Sequence, residues 1–295
     1  MGAFSELATR TFFEDSSVNL LPCEKYQEMF EAVDSQTADY VVAPIENSTG
    51  GSIYDYYDLL LEYSIKSQFV IVRELKMRIR HNLIANKGVN LKDIKMVRSH
   101  PQALAQCKNY LKTHNIKAQQ DYDTAGVIKD IKEKNLSDVA AIASVQAAHD
   151  HDMDILEKNT QDHEENYTRF LLITRQAETV SQETKVSVIF CVKNEPCSLY
   201  KTFNVFASRN LDIVRVETRP LMGTTTSWRK FARKDEKGLW DFLFYIDVRG
   251  NKKVCEEAIE HLRTIVLKLN GDTAVSVLGY YPEGNLYDIT GKKWR

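Results

Sequence analysis

The sequence predicts an α/β fold in two parts: a larger region of alternating strands and helices, then a smaller ferredoxin-like unit. Short apolar runs such as Val139–Ala143 recur, and each is followed by a polar loop and a helical pattern. Residues 175–184 contain few apolar side chains and are typical of a linker. Beyond them, strand, helix, two strands, helix and strand follow within about 100 residues, the βαββαβ order of a ferredoxin-like unit.

Bulk composition indicates a folded protein of more than one domain. The chain has 295 residues, 43% hydrophobic and 27% charged, with a net charge of -2. The near-neutral charge and the lack of a long basic run argue against nucleic acid or an anionic membrane as partner. Five cysteines without a C-x-x-C pair predict neither a disulfide framework nor a zinc site. No membrane-spanning stretch or signal peptide is evident, so we expect a cytoplasmic protein.

The first polar loop follows the apolar strand Tyr40–Ile45. It contains Asn47, Ser48 and Gly51 and leads into a helical pattern for which Ser52 is a plausible N-cap. A helix N-terminus after a strand favours an anion, because its backbone N–H groups and dipole point outward. An ordinary capped βα loop is an equally good interpretation of the residues alone.

Three further loops repeat this arrangement later in the chain. Since the carboxyl ends of parallel strands are where α/β proteins place ligands, these loops are candidate binding elements, and the alternation itself predicts parallel sheets. The polar residues they contribute are Ser99 and Gln102, then Thr124, then Ser144.

The stretch from Asn166 to Phe170 places a hydroxyl and a guanidinium at the entrance of an apolar strand. Arg169 has a donor geometry suited to a carboxylate, and the Thr168 hydroxyl suits a leaving oxygen. On these residues alone, a strand that starts with a solvated arginine explains the pattern as well. The histidines at 149 and 151 have the wrong spacing for two ligands on one helix face, so a metal site is not expected there.

Taken together, five motifs resemble the prephenate dehydratase family with a C-terminal ACT domain. Their order and spacing cover nearly the whole chain, which makes the combination specific although each is weak alone. The motifs are Gly2-Ala3-Phe4-Ser5, Pro44-Ile45-Glu46-Asn47-Ser48 with Gly51-Ser52, Ser99 through Cys107, Asn166-Tyr167-Thr168-Arg169-Phe170, and Glu217-Thr218-Arg219-Pro220.

The resemblance implies a catalytic region at 1–175, built like a periplasmic binding protein from two lobes with the active site between them. We place one lobe at 1–75 and 160–175, the other at 76–155, and the ACT domain at 185–283. The implied reaction is a lyase step of phenylalanine biosynthesis that converts prephenate to phenylpyruvate, with loss of carbon dioxide and water. It implies no cofactor and no metal.

The resemblance also assigns roles to the predicted site. Thr168 contacts the ring hydroxyl and acts as, or relays from, the acid, while Arg169 orients a carboxylate or braces the cleft. Phe170 packs at the turn. The remaining substrate-binding residues are Ser5, Asn47, Ser48, Gly51, Ser99, Gln102, Thr124 and Ser144.

In the family, ACT domains pair and bind phenylalanine at their interface, which implies feedback regulation and a homodimer or homotetramer. The matching positions here depart from the usual motifs, and an aspartate could repel the ligand carboxylate, which weakens that expectation. These effector positions are Cys197, Ser198, Leu199, Asp212, Glu217, Thr218, Arg219 and Pro220.

A second departure lies at the start of the chain. Family members have a strand before the Gly-x-Phe-Ser motif, where this sequence has only Met1. A missing core strand leaves ladder groups unpaired, so we expect either an incomplete sequence or another segment in that position.

Two alternative functions remain open from the sequence. The nearest is arogenate dehydratase, which performs the same elimination on a substrate with an amino group in place of the keto group. A different class is a non-catalytic amino-acid-binding regulator with a binding-protein-like cleft; the complete Thr168-Arg169-Phe170 motif disfavours it.

Overall fold

Three β-sheets with flanking helices are seen in the computed structural model, which describes residues 3–14, 17–121, 124–178, 183–224, 227–231, 241–288 and 291–293, the side chains of 124 and 125 excepted. The helices are α1 Phe4–Phe13, α2 Tyr26–Asp34, α3 Tyr54–Ser67, α4 Pro101–Gln106, α5 Lys108–Thr113, α6 Thr124–Glu133, α7 Val145–Asp150, α8 Ser198–Ala207 and α9 Lys252–Asn270. The strands are β1 Val41–Asn47, β2 Gly51–Ser52, β3 Val70–Arg78, β4 Asn82–Ala85, β5 Met96–Ser99, β6 Lys117–Gln120, β7 Val139–Ala143, β8 Asp154–Glu157, β9 Tyr167–Thr174, β10 Glu183–Val192, β11 Asp212–Pro220, β12 Phe242–Asn251, β13 Val275–Tyr281 and β14 Leu286–Tyr287.

The first sheet has the order β14-β3-β9-β1-β2, with β9 in the middle. β9 runs antiparallel to both β1 and β3, so the prediction of parallel sheets is wrong here. The chain reaches β9 on its return from the second sheet and therefore enters between β1 and β3 in the opposite direction. In this register Asn47 lies directly opposite Thr168.

The second sheet has the order β6-β5-β7-β4-β8, and here β5 is parallel to both β6 and β7, as the alternation predicts. In the same sheet β4 is antiparallel to both β7 and β8, so the prediction of a parallel sheet is wrong for that strand. Ser99 ends β5 and Ser144 directly follows β7. Because the two strands are parallel neighbours, both serines come to the same edge of the sheet. The Ser99 hydroxyl donates to the carbonyl oxygen of Ile142 over 2.6 Å, which joins the two strand ends.

The strand expected before Gly2 concerns the outer edge of β1, the edge that does not pair with β9. In the part of the chain that the structure describes, β1 is paired on that side only by the two-residue β2, at Glu46 and Asn47. Gly2 itself lies outside the described residues.

The third sheet has the order β11-β12-β10-β13 and is built from β10, α8, β11, β12, α9 and β13 in turn. The predicted βαββαβ unit is therefore confirmed, and the α/β fold class with it. Its position against the first sheet is close: a Cβ added to Gly279 of β13 would lie 2.2 Å from the carbonyl oxygen of Ile71 in β3. The lobe and domain boundaries in residue numbers stay a prediction.

A buried group of charges joins the first and third sheets around Arg169. Its guanidinium donates to Glu74 Oε2 of β3 and to Asp247 Oδ2 of β12, each over 2.6 Å, and to the Tyr281 hydroxyl over 3.0 Å. On the other side, the Lys185 ammonium reaches both oxygens of Glu74 at 3.1 Å. We call these four charged residues with Tyr281 the Arg169 cluster.

The Arg169 cluster balances two cations with two carboxylates, and all four side chains are less than a tenth exposed. Burial alone would raise the pKa of Asp247, but Arg169 and Lys185 outweigh it and hold that pKa below its usual value. Asp247 is therefore ionised at neutral pH. The first and third sheets each supply counter-charges for the buried charges of the other.

We expect Asp247→Asn to lower the free energy of unfolding by about 3–5 kcal/mol, because it leaves the Arg169 guanidinium buried without its full counter-charge. Urea unfolding followed by fluorescence measures this. The matched control is Asp212→Asn, which breaks a 2.6 Å ion pair with Arg249 whose side chains are about half exposed, so its cost is about 1 kcal/mol or less. Equal effects of the two substitutions would contradict the assignment.

Candidate active site

A cavity of about 240 Å³ lies between the first and second sheets. Most of the substrate-binding residues predicted from sequence line it, although they come from distant parts of the chain. They are Ser5, Asn47, Ser99, Gln102, Ser144 and Phe170, and the predicted catalytic residue Thr168 lines the cavity with them.

Thr168 is at the first-sheet wall of this cavity, with 8% of its surface exposed. Its Oγ1 accepts a hydrogen bond from Asn47 Nδ2 over 3.0 Å. A hydroxyl that accepts this bond keeps its own hydrogen for another acceptor. The bond to Asn47 also stabilises negative charge that develops on Oγ1 when that hydrogen is donated.

The orientation of the Asn47 amide is fixed by the backbone. Its Oδ1 accepts from the N–H groups of Thr49 and Gly50 at 3.0 and 2.7 Å, and its Nδ2 donates to the carbonyl oxygen of Tyr167 at 3.2 Å. If the amide were reversed, Nδ2 would face the N–H groups of Thr49 and Gly50, donor against donor. Nδ2 must therefore face Thr168.

Gln106 and Asn166 continue this hydrogen-bonded group, and the sequence analysis did not assign either of them to the site. Gln106 Nε2 donates to Asn47 Oδ1 over 3.0 Å, and Asn166 Nδ2 donates to Gln106 Oε1 over 3.0 Å. Two spacings could have indicated them. Gln106 is four residues after Gln102 on one helix face, and Asn166 is two residues before Thr168 along an extended chain.

Two histidines also line the cavity. His81 is 5% exposed and its Nε2 lies 2.8 Å from Gln106 Oε1. Burial lowers the pKa of His81 and also that of half-buried His100, so both rings are neutral at neutral pH. His100 is the N-cap residue of α4, and its Nδ1 accepts from the Gln102 N–H over 3.2 Å.

The start of α1 offers backbone donors to the cavity. Ala3, Phe4 and Ser5 line it, and Ala3 is an N-cap residue without a side-chain cap. The Glu6 N–H donates to the Ala3 carbonyl oxygen over 3.1 Å, so the donors at this helix start are the N–H groups of Phe4 and Ser5, where the helix dipole favours an anion. A carboxylate is the kind of group that this end of the cavity accommodates.

The predicted N-cap of α3 is wrong. Ile53 is the N-cap residue and lines the cavity, whereas the Ser52 hydroxyl donates to Glu217 Oε2 over 2.5 Å. An N-cap serine accepts a hydrogen bond from a helix N–H group, whereas Ser52 donates to the ionised carboxylate of Glu217 on β11. The hydrogen bond to the charged acceptor is the stronger of the two.

Ser48 and Gly51 are not among the cavity-lining residues. The Ser48 hydroxyl donates to the Glu165 carbonyl and accepts from the Tyr167 N–H, which ties the loop to the start of β9. Gly51 has a φ of 78°, a left-handed conformation that glycine adopts without strain. The side chain of Thr124 lies outside the described residues; its backbone begins α6.

Arg169 does not line the cavity, so its predicted role in orienting a substrate carboxylate is not supported by its position. Successive side chains of a strand point to opposite faces. With Thr168 directed to the cavity, Arg169 points to the third sheet, where the Arg169 cluster holds it. The alternative prediction, that Arg169 braces the wall of the cleft, agrees with this geometry.

The predicted effector residues divide into two groups. Glu217 accepts from the Tyr54 hydroxyl over 3.0 Å, and Arg219 pairs with Asp58 over 2.6 Å, so both face α3. The others are placed differently: Cys197 is the N-cap residue of α8 with a φ of 65°, Ser198 is buried, Leu199 is exposed, Asp212 pairs with Arg249, and Thr218 and Pro220 belong to β11.

The described residues contain neither a metal-binding group nor a helix that could span a membrane. No group of three His, Cys, Asp or Glu residues in that part of the chain is arranged to hold a metal ion. Likewise, no described helix combines the length and apolar character that crossing a membrane requires.

Comparison with known proteins agrees with this geometry. The family model described as prephenate dehydratase matches residues 1–178. The chain is 39% identical over 287 residues to arogenate dehydratase/prephenate dehydratase 2, chloroplastic, of Arabidopsis thaliana, covering 95% of this chain and 70% of that protein. It is 35% identical over 286 residues to prephenate dehydratase of Methanocaldococcus jannaschii, covering 95% of each.

A solved structure shows the same fold over the full length. It is prephenate dehydratase from Arthrobacter aurescens in complex with L-Phe, with a TM-score of 0.78, 24% identity, and coverage of 100% of this chain and 90% of that one. Motifs, family model and full-length relatives thus agree, and the chain belongs to the prephenate dehydratase family.

Proposed function

We propose that this protein is a prephenate dehydratase, which converts prephenate to phenylpyruvate with loss of carbon dioxide and water in phenylalanine biosynthesis. The observation that carries the proposal is the Thr168 hydroxyl, which lies in the cavity and accepts from Asn47 Nδ2 over 3.0 Å. Its remaining hydrogen is available to the hydroxyl group that leaves the substrate.

The reaction breaks two bonds of prephenate. The bond from the ring to its carboxylate releases carbon dioxide, and its electron pair passes through the ring to the carbon that loses the hydroxyl group. The departing oxygen takes one proton and leaves as water, and the ring becomes aromatic. Thr168 donates the hydrogen bond, and in the transition state the proton, which it recovers from solvent.

A neutral threonine is a weak acid, so its neighbours must stabilise the charge that forms on Oγ1. Asn47 Nδ2 does so by its bond to Oγ1, and Asn47 is held in turn by Gln106 and Asn166. Positioned donors of this kind contribute about 10²–10³ to the rate.

The two carboxylates of prephenate take different places in this scheme. The first-turn N–H groups of α1 near Ser5 receive one of them, with Gln102 and Ser144 as further donors at the second-sheet wall. The Ser99 hydroxyl is committed to the Ile142 carbonyl and supports that wall. The carboxylate that leaves lies against the apolar part of the wall, near Phe170 and Ile142. An apolar surface disfavours the charged carboxylate relative to neutral carbon dioxide.

We expect Thr168→Val to lower kcat by about 10²–10⁴ on prephenate, since it removes the acid but keeps the side-chain shape. Phenylpyruvate formation and a thermal melt on the same sample measure activity and folding. The control is Thr168→Ser, which keeps the hydroxyl and should retain a large part of the activity. Turnover by Thr168→Val close to that of the parent chain would contradict the assignment of Thr168.

Arogenate dehydratase is the second candidate, and the specific observation that favours it is the 39% identical plant relative, which is named arogenate dehydratase/prephenate dehydratase. The same elimination occurs with either substrate, so Thr168 would serve both. Parallel assays with prephenate and arogenate at equal concentration decide between them. We expect the larger kcat/KM with prephenate, and a larger value with arogenate would reverse the assignment.

Regulation by phenylalanine is a further part of the proposal, with the third sheet and its helices as an ACT domain that pairs with a second copy. β11 is an edge strand, and Val214 and Val216 on its outer face are 38% and 45% exposed. The Arthrobacter aurescens structure contains L-Phe. These features support a homo-oligomer whose effector pocket includes the N-terminus of α8 at Cys197 and Ser198.

We expect titration calorimetry with phenylalanine to show saturable heat at millimolar ligand or below, together with inhibition of the dehydratase activity. Ser198→Val is the test of the site because Ser198 is 2% exposed and its hydroxyl has no hydrogen-bond partner among the described residues. No heat with the parent chain would leave the third sheet with a structural role only.

A further inference from the structure

We propose that His81 is a positioning residue for the reaction: its Nε2–H group is the first donor of a hydrogen-bonded series that runs through Gln106 and Asn47 to Thr168. The inference rests on the proposed function, because it concerns how the acid of that reaction is oriented. His81 was not singled out by the sequence motifs, and the mechanism above does not use it.

The direction of the hydrogen-bonded series follows from contacts in which the donor and the acceptor cannot exchange roles. Backbone N–H groups fix Asn47 Oδ1 as an acceptor, so Gln106 must present Nε2 to it, at 3.0 Å. Gln106 Oε1 then faces the other way, towards His81 and Asn166. An amide oxygen only accepts, and the His81 Nε2 that lies 2.8 Å from it must therefore carry a hydrogen.

The four side chains form a series in which each donates to the next. His81 Nε2 donates to Gln106, Gln106 Nε2 to Asn47, and Asn47 Nδ2 to Thr168, at 2.8, 3.0 and 3.0 Å. Asn47 Nδ2 also donates to Asn166 Oδ1, over 2.7 Å. Since the Thr168 hydroxyl accepts from Asn47, its own hydrogen remains for another acceptor, such as a group in the cavity. Hydrogen bonds aligned in one direction polarise one another, so the first donor strengthens the last.

His81 has the surroundings that this role requires. It is 5% exposed, and the ring of Phe4 meets it edge-on with centroids 5.9 Å apart. Its backbone is also held, since its N–H donates to Gln161 Oε1 over 2.9 Å and its carbonyl accepts from the Thr160 N–H over 2.8 Å. Because burial keeps the ring neutral, one of the two ring nitrogens is bare. That nitrogen is Nδ1, which has no hydrogen-bond partner among the described residues.

The hydrogen-bonded series also connects the two lobes. His81 lies on the segment that leads from β3 to β4, and Asn166 lies on the segment that returns to β9. Gln106 at the end of α4 meets Asn47 at the end of β1. The donor series to Thr168 is therefore complete only when the two sheets stand at the separation seen here.

The experiment compares two substitutions of His81. Phenylalanine keeps a ring in the pocket but has no donor, whereas glutamine places an amide Nε2 at the same number of bonds from the backbone as the histidine Nε2. We expect His81→Phe to lower kcat by roughly tenfold or more, the factor associated with one hydrogen bond, with a much smaller change in KM. His81→Gln should restore most of that loss. Unchanged kcat in His81→Phe, or equal loss in both variants, would overturn the proposal.

A spectroscopic measurement tests the same inference without turnover. In ¹⁵N-histidine-labelled parent protein, the His81 signals should show hydrogen on Nε2 and a bare Nδ1 at neutral pH, with the His81→Gln spectrum identifying which signals belong to His81. Hydrogen on Nδ1, or a protonated ring, would overturn the proposal even if His81→Phe failed to fold. An inactive parent chain with the Nε2–H tautomer would count against the proposed function and leave the donor series supported.

Discussion

The alternation of side chains along β9 is the constraint on which the rest of the structure depends. Thr168 faces the cavity and Arg169, the next residue, faces the third sheet. β9 is hydrogen-bonded to β1 on one side and to β3 on the other, so it cannot slip by one residue without exchanging the two faces. A register error would bury the hydroxyl among carboxylates and place the guanidinium in the substrate cavity.

The Arg169 cluster makes the C-terminal unit part of the environment of the active site. Asp247, Lys185 and Tyr281 belong to the third sheet, yet they hold the residue that follows Thr168. A second connection runs from β11 to the start of α3, where Glu217 and Arg219 bind Ser52, Tyr54 and Asp58 around the cavity residue Ile53. A shift of the third sheet would therefore displace two walls of the cavity, because short, charged contacts connect them to that sheet.

Much of this arrangement could be predicted from sequence because it repeats a local pattern. Strand, polar loop and helix start recur, and that recurrence predicts the cavity-lining positions of Asn47, Ser99, Gln102 and Ser144. The βαββαβ unit was predicted from element order for the same reason. The sequence leaves two roles open for Arg169, orienting a carboxylate or bracing the cleft, because a one-dimensional pattern gives the alternation of faces but not which face meets the cavity.

Other features depend on contacts between distant segments. β14 pairs with β3 from the far end of the chain, and its two residues carry no periodic signal. Ser52 resembles an N-cap until Glu217 of β11 is brought beside it. His81 and Gln106 acquire their roles only from each other and from Asn47, since their positions along the chain are far apart.

The central claim is that the Thr168 hydroxyl meets the leaving oxygen of the substrate in the cavity between the first two sheets. A crystal structure with an unreactive analogue tests it most directly, using a prephenate with a saturated ring that keeps the hydroxyl group and both carboxylates. The account predicts the ring hydroxyl within hydrogen-bond distance of Thr168 Oγ1, with one carboxylate at the start of α1. An analogue bound outside this cavity, or bound in it with its hydroxyl turned away from Thr168, would contradict the account.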